Sequence, residues 1–390
     1  MAWYNKDMVE KQRQLGQFFT KNSDYILQGM KKYIYNKDAT DPFAGNQDLI
    51  KWAKGNKAKV IKGYDIDKNY IDDKTTFLND SINKPLKYKF VLTNPPYLHK
   101  NKAKDETKNK YFIGKNSEFE DLYQVSINSI LDSEEGILII PLNFLSAENS
   151  NKIRKIFFNK FKIISLNIFE EQVFEDTTYN VISFYYKKRR GESKKDVINA
   201  KIFPREQKIQ IILEEKHGWQ MGGEFRSKID PMKNLLGIYR ATEDLLFGGS
   251  EKVELAYNHI KDKRTFYIDK YVKELFEKNI ILLRAIDNKN GKKIQLEDIR
   301  KYGPIALIGK NTSRNMAYLL FKEKISLREQ QELIDLFNNY LNKERQKHFS
   351  LFLTNFRDNG RKRISFDFVY KLINYLYFNK LNNNQKVLFH

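Results

Sequence analysis

The chain has 390 residues, 41% of them hydrophobic and 14% aromatic, which is enough to build two domains with real cores. It holds no cysteine, so disulfides, thiolate metal sites and cysteine nucleophiles are excluded, and its five histidines (His99, His217, His259, His348, His390) never fall at metal-ligand spacing. A formal net charge of +21 is self-repulsion of the kind tolerated for an anionic partner, and no apolar run is long enough to span a bilayer.

In chain order, Met1-Ala2-Trp3-Tyr4 opens with neither a signal peptide nor a transit peptide, so a cytoplasmic protein is expected. Leu15-Gly16-Gln17-Phe18-Phe19-Thr20 is a short glycine-containing turn ahead of an amphipathic segment, Ser23 to Lys31. Such a turn can cap a helix or hold a ligand carboxylate on its amides. Ala39-Thr40-Asp41-Pro42-Phe43-Ala44-Gly45 reads as a strand entering a tight glycine turn, followed by a helix to about Lys54, a form that lets backbone amides approach a nucleoside. Lys59 to Asp65 is a second strand ending in a carboxylate suited to ribose hydroxyls, while Asp67 is equally suited to capping a helix.

Thr75 to Asp80 precedes the stretch that organises the rest, Tyr88-Lys89-Phe90-Val91-Leu92-Thr93-Asn94-Pro95-Pro96-Tyr97. Phe90, Val91 and Leu92 form a short buried strand, and the two prolines stop it in a rigid turn that holds the Asn94 side chain and its neighbouring carbonyls still. An exocyclic amine of a nucleobase needs two acceptors and an aromatic platform. The Asn94 carboxamide oxygen, the Pro95 carbonyl and the Tyr97 ring can supply them.

Leu98 to Lys110 is a polar run without periodicity, expected to be a mobile loop whose Lys102 and Lys104 meet phosphates. Asp121 to Leu131 and Asn151 to Lys160 are helices, Gly136 to Leu145 and Ile163 to Phe169 strands, and the Val173 to Thr178 loop leads into a hairpin strand over Tyr179 to Tyr186. Alternation of strands and helices to about residue 189 describes an α/β protein with a doubly wound, mostly parallel sheet.

Lys187 to Lys195 reads as a charged linker or an exposed turn. It divides a first domain, 1–190, with roughly 32 basic and 24 acidic side chains, from a more basic mixed α+β domain, 191–390, with roughly 38 and 25. Strands are expected over Asp196–Phe203, Lys208–Leu213, Ile280–Leu283 and Ile305–Ile308. Helices are expected over Pro231–Leu246, Leu327–Leu341 and from Ser365 or Phe366 to about Phe378. The turn Asp358 to Arg363 carries Arg361, Lys362 and Arg363, the expected duplex contacts. Glu214-Glu215-Lys216 has no paired upstream aspartate, so no nuclease is expected.

Asn94-Pro95-Pro96-Tyr97 resembles the catalytic motif of the amino-methyltransferases, and its neighbours follow the order of the gamma group of DNA adenine-N6 methyltransferases. The resemblance covers the first half well and the second only in position, as a target-recognition domain. It implies a Rossmann-like catalytic domain that binds S-adenosylmethionine through Phe19, Thr20, Asp41, Phe43, Gly45, Asp65, Asp80 (with Asn79 as competitor) and Asn94. Asn94, Pro95, Pro96 and Tyr97 would be catalytic, and Tyr97 and Phe174 would stack on a flipped adenine. One departure is Gln47, which stands where the family's loop has its second glycine.

The implied activity is methylation of adenine N6 in double-stranded DNA by a monomer, without metal, as the modification partner of a restriction endonuclease on a separate chain. RNA adenine-N6, protein glutamine or DNA cytosine-N4 methylation, and a retired nucleic-acid-binding scaffold, remain the alternatives.

Overall fold

The computed structural model describes residues 16, 18–174, 180–288, 291–355 and 361–381. It divides into two compact units, the first running to Gly223 and the second from Glu224 onward.

The first unit is built on a nine-stranded sheet. Its strands are β1 (Asp38–Asp41), β2 (Val60–Asp65), β3 (Thr76–Leu78), β4 (Tyr88–Thr93), β5 (Ser133–Pro141), β6 (Phe161–Phe169), β7 (Val181–Lys188), β8 (Lys195–Phe203) and β9 (Gln207–Glu214). They lie in the order β3-β2-β1-β4-β5-β7-β6-β8-β9. The first five are mutually parallel, and β7 runs antiparallel between β5 and β6. This is the doubly wound α/β architecture expected. Strands covered on both faces must be apolar throughout, and Val91, Leu92 and Ile137 to Ile140 have no exposed surface. The helices Asp48–Gly55, Leu122–Ser129 and Asn151–Lys160 carry the chain from β1 to β2, from β4 to β5 and from β5 to β6.

The sheet does not stop at residue 190. β8 pairs in parallel with β6, from Ser165 opposite Asn199 to Phe169 opposite Phe203, and β9 closes back on β8. Of the two readings of the charged run, the turn is the one found: it lies inside this sheet, and Arg189 within it forms a buried two-pronged pair with Asp196, at 2.9 and 2.6 Å. Trp219 stacks on Phe158 at 5.1 Å, which ties the following segment to the same core. The first unit therefore ends 33 residues later than the charge pattern suggested, because a solvated charge run and a stitched turn look alike in composition.

Two further expectations change. Ser23 to Lys31 is broken into the helices Ser23–Ile26 and Lys31–Ile34 by Gly29, whose φ of +77° no helix accepts. Within the run read as a mobile loop, Asp105–Tyr111 is a helix, with acids in its first turn and lysines in its last, charges that complement the helix dipole. Tyr111 and Phe112, just past the polar run, are 7% and 3% exposed and anchor it.

The second unit contains the sheet β10-β16-β13-β14 and the sheet β12-β11-β15. The strands are β10 (Tyr239–Arg240), β11 (Glu251–Tyr257), β12 (His259–Ile268), β13 (Ile281–Arg284), β14 (Gln295–Asp298), β15 (Leu307–Ile308) and β16 (Met316–Leu320). The helices Leu327–Lys347 and Phe366–Leu376 pack with β13, β14 and β16 through Leu333, Phe337, Leu341, Val369 and Leu372. The α-helix expected over Pro231–Leu246 is absent: that segment holds turns, β10 and a single 3-10 turn at Glu243–Leu245, and the α-helix lies earlier, at Gly223–Ile229.

Candidate active site

The strand order reverses between β1 and β4, each of which has a different neighbour on its far side. Open α/β sheets bind ligands at such a point, outside the carboxyl ends of the strands. Here a cleft opens in the first unit. Its lining includes Phe19, Thr20, Asp41, Phe43, Gly45, Asp65, Asp80 and Asn94, every residue the sequence suggested for a cofactor. Phe18, Pro42, Asp48, Ile66, Ile82, Tyr111 and Leu122 line it as well and were not anticipated. The adjacent aromatics Phe18 and Phe19 were the one available signal, and Tyr111 gave none, since it sat at the end of a polar run.

Each acidic group is held by the element that delivers it. Asp41 ends β1 and is 1% exposed; Thr93, at the end of β4, donates its hydroxyl to Oδ1 at 2.6 Å, and the Phe43 N–H donates to the same oxygen at 3.1 Å. Burial, against those two hydrogen bonds and with Asp65 and Asp48 nearby, raises its carboxyl to about 7. Asp65 ends β2 and accepts the Gly45 N–H at 2.9 Å and the Asp67 N–H at 2.8 Å; burial pushes its carboxyl up while these bonds pull it down. Asp67 is a cap, accepting from the Asn69 N–H at 3.1 Å. Asp80 accepts from the Asn83 N–H and side-chain amide at 3.2 and 3.1 Å and pairs with Lys110 at 3.4 Å. Asn79 also lines the cleft, so both candidates there reach it.

Gln47 stands in the glycine-turn loop with a left-handed backbone. That residue adopts φ +64°, the left-handed conformation a glycine would supply, just before the helix Asp48–Gly55, and its side chain reaches Asp72 at 3.0 Å.

Asn94 stands at the cleft between β4 and the Gly16–Thr20 segment. Its Nδ2 donates to the Phe18 carbonyl at 2.7 Å and to Thr20 Oγ1 at 3.1 Å, and the Tyr97 hydroxyl lies against its Oδ1 and, at 2.8 Å, the Ile139 carbonyl. Pro96 lines the cleft, while Pro95 is buried behind it. Tyr97 does not offer the open face expected. It is 4% exposed, with Phe18 at 5.4 Å, Phe174 at 6.4 Å and Tyr123 at 6.4 Å around its ring. Phe174 lies beside Tyr97, is 4% exposed and stacks with Phe18 at 6.3 Å.

The expected phosphate contacts divide. Lys102 and Lys104 are exposed on either side of buried Ala103. Lys362 is not available: it is 2% exposed in the strand Lys362–Arg363, which pairs with Thr354–Asn355. Arg361 and Arg363 are half-buried, and burial together with nearby Arg314 pushes the Arg363 guanidinium below its ordinary range. Asp358 to Gly360, the turn itself, lies outside the described residues, as do Leu15, Gln17 and Glu175 to Tyr179. Among the described residues no cluster of His, Asp and Glu could hold a metal, and no helix is long and apolar enough to cross a membrane.

The strand order and the switch-point cleft make the first unit a doubly wound, Rossmann-like α/β fold. Residues 11–174 match the family described as Eco57I restriction-modification methylase. No curated protein matches the chain. Among solved structures, the type IIL restriction-modification enzyme MmeI, determined in complex with DNA, is similar over 94% of this chain and 65% of its own, at 11% identity and a TM-score of 0.50. The type I restriction-modification methyltransferase subunit from Streptococcus thermophilus (14% identity, 50% of each chain, TM-score 0.33) and the EcoKI M protein (12% identity, 48% of this chain and 49% of that one, TM-score 0.34) are also similar. The chain thus spans about half the length of those type I subunits.

Proposed function

We propose that this protein is a site-specific DNA methyltransferase that transfers a methyl group from S-adenosylmethionine to N6 of an adenine flipped out of the duplex, as the modification activity of a restriction-modification system. The observation that carries the reading is the character of the cleft. In a chain of net charge +21, its described lining contains Asp41, Asp48, Asp65 and Asp80 and neither lysine nor arginine, with Asn94-Pro95-Pro96 at its edge. A phosphate-rich nucleotide would be repelled there, whereas a ligand with two positive charges and ribose hydroxyls suits it.

The residues present therefore fit S-adenosylmethionine, which when bound supplies an electrophilic methyl on a sulfonium. Asp65 would accept from the ribose hydroxyls and Asp80 or Asn79 from the adenine amino group, with Phe19, Phe43 and the Gly45 turn closing around the nucleoside. Asn94 Oδ1 and the Pro95 carbonyl would accept the two N6 hydrogens of the target base. That draws the nitrogen lone pair out of conjugation and orients it; as the N6–CH3 bond formed the S–CH3 bond would break to leave the thioether, and the surplus N6 proton, acidic only once the methyl had arrived, would pass to water, so positioning and fixed dipoles do the work and no strong general base is needed.

A base stacking on Tyr97 must displace Phe18 or slide beside it, and flipping costs a few kcal/mol that stacking partly offsets. Lys102, Lys104, Arg361, Arg363 and Arg314 are the cations for the DNA backbone. Family similarity over 11–174 and fold likeness to an enzyme solved on DNA support the same reading.

Labelled S-adenosylmethionine offered with DNA, structured RNA and protein side by side tests it. Label should enter DNA as N6-methyladenine, and Asn94→Ala should abolish transfer while cofactor affinity stays within about threefold. Label in RNA or protein alone, or full turnover by the Asn94→Ala variant, would overturn it.

A further inference from the structure

A carboxamide has a donor end and an acceptor end, and its use depends on which end faces the substrate. At Asn94 the choice is made by the segment on the other side of the cleft edge. The Phe18 carbonyl, 2.7 Å from Nδ2, can only accept, so it requires an N–H in that place. Thr20 Oγ1, at 3.1 Å, takes Nδ2 as well. With Nδ2 so engaged, Oδ1 points the other way, where Tyr97 bonds to it and leaves its second lone pair open.

The segment is itself fixed to the Asn94 turn. The Tyr97 N–H donates to the Gly16 carbonyl at 2.7 Å, and a Cβ on Gly16 would lie 2.7 to 2.9 Å from the Tyr97 backbone, so only glycine fits. Thr20 is 3% exposed, and its own N–H is directed at the Asp48 carboxylate.

Resting on the methyltransferase reading above, we propose that Thr20 is a positioning residue for Asn94. Its hydroxyl, with the Phe18 carbonyl, locks the carboxamide so that oxygen faces the target amine, and this segment is what makes asparagine, and not aspartate, the residue the site accepts. Aspartate would set a carboxylate oxygen against the Phe18 carbonyl, two acceptors without a proton between them. The assignment differs from the cofactor role that the lining position suggests. A cofactor ligand sets affinity for S-adenosylmethionine, whereas a positioning residue sets the rate once both substrates are bound.

The experiment compares Thr20→Val, which keeps the shape and loses the hydroxyl, with Thr20→Ser, which keeps the hydroxyl. In the 390-residue chain, Thr20→Val should lower kcat about tenfold with KM for S-adenosylmethionine and DNA within about twofold, and Thr20→Ser should recover most of the loss. A second readout needs no turnover. With [15N]asparagine labelling, and the Asn94 side-chain signal assigned by its loss in Asn94→Ala, amide proton exchange at Nδ2 should be slow in the wild type and Thr20→Ser and faster in Thr20→Val. A raised KM for S-adenosylmethionine with kcat unchanged, equal exchange in all three proteins, or a Thr20→Ser variant as impaired as Thr20→Val would overturn the assignment. If the wild type transfers no methyl to DNA, the proposed function fails, and the exchange measurement still decides whether Thr20 orients Asn94.

Discussion

Replacing Asp41 by asparagine should make the first unit more stable at pH 8, although it removes a carboxyl from the lining of the cleft. Asp41 is 1% exposed, and burial raises its carboxyl from the ordinary 3.8 to about 7 despite the hydrogen bonds from Thr93 and Phe43. The fold therefore favours the protonated form. That contribution is fully present below 3.8, declines as pH rises, and is gone above about 7, where folding must bury the charge.

Each unit of pKa is worth about 1.4 kcal/mol, so the burden on the wild type approaches about 4 kcal/mol at pH 8. Roughly 2–3 kcal/mol of it accrues between pH 5 and pH 8. Asparagine keeps an oxygen for Thr93 and Phe43 and carries no charge, so the stability gap in its favour should widen by that amount across the window. The chain's three tryptophans, Trp3, Trp52 and Trp219, all precede the end of the first unit at Gly223, so urea unfolding followed by tryptophan fluorescence reports on that unit. A gap that does not change with pH, or a variant less stable than the wild type at pH 8, would refute the reasoning.

Gln47→Gly should stabilise the protein by about 0.5–1 kcal/mol, because relief of the left-handed conformation at φ +64° outweighs added chain entropy and the exposed bond to Asp72; an unchanged or lower thermal midpoint would contradict it. Gly136→Ala should cost about 3 kcal/mol, since its Cβ would fall 2.4 Å from the Val91 carbonyl and 2.9 Å from the Tyr186 ring, wedging β5 from the strand that delivers Asn94. Chemical denaturation measures that loss, and wild-type stability in the variant would mean the strands can separate freely.

Much of the first unit was legible because its signals are local. Phe90 to Leu92 and Ile137 to Ile140 are uninterrupted apolar runs, which only strands covered on both faces require. Pro95 and Pro96 mark where a strand must stop, and Asp41, Asp65 and Asn94 follow their strands directly, so naming the strand named the end of the cleft each would occupy. The sequence by itself thus determined the doubly wound sheet and which residues its carboxyl ends present.

What it left open depends on partners far away along the chain. β8 and β9 joined the first sheet because β6 offered a free edge, not because of anything in the charged run before them. Lys362 read as a displayed cation, and the pairing of its strand with Thr354–Asn355 buried it. Tyr97 read as an open platform until Phe18, 79 residues earlier, covered its ring. The orientation of the Asn94 carboxamide likewise came from Phe18 and Thr20, because a side chain's type fixes which bonds it can make, while only the tertiary structure decides which acceptor is placed against it.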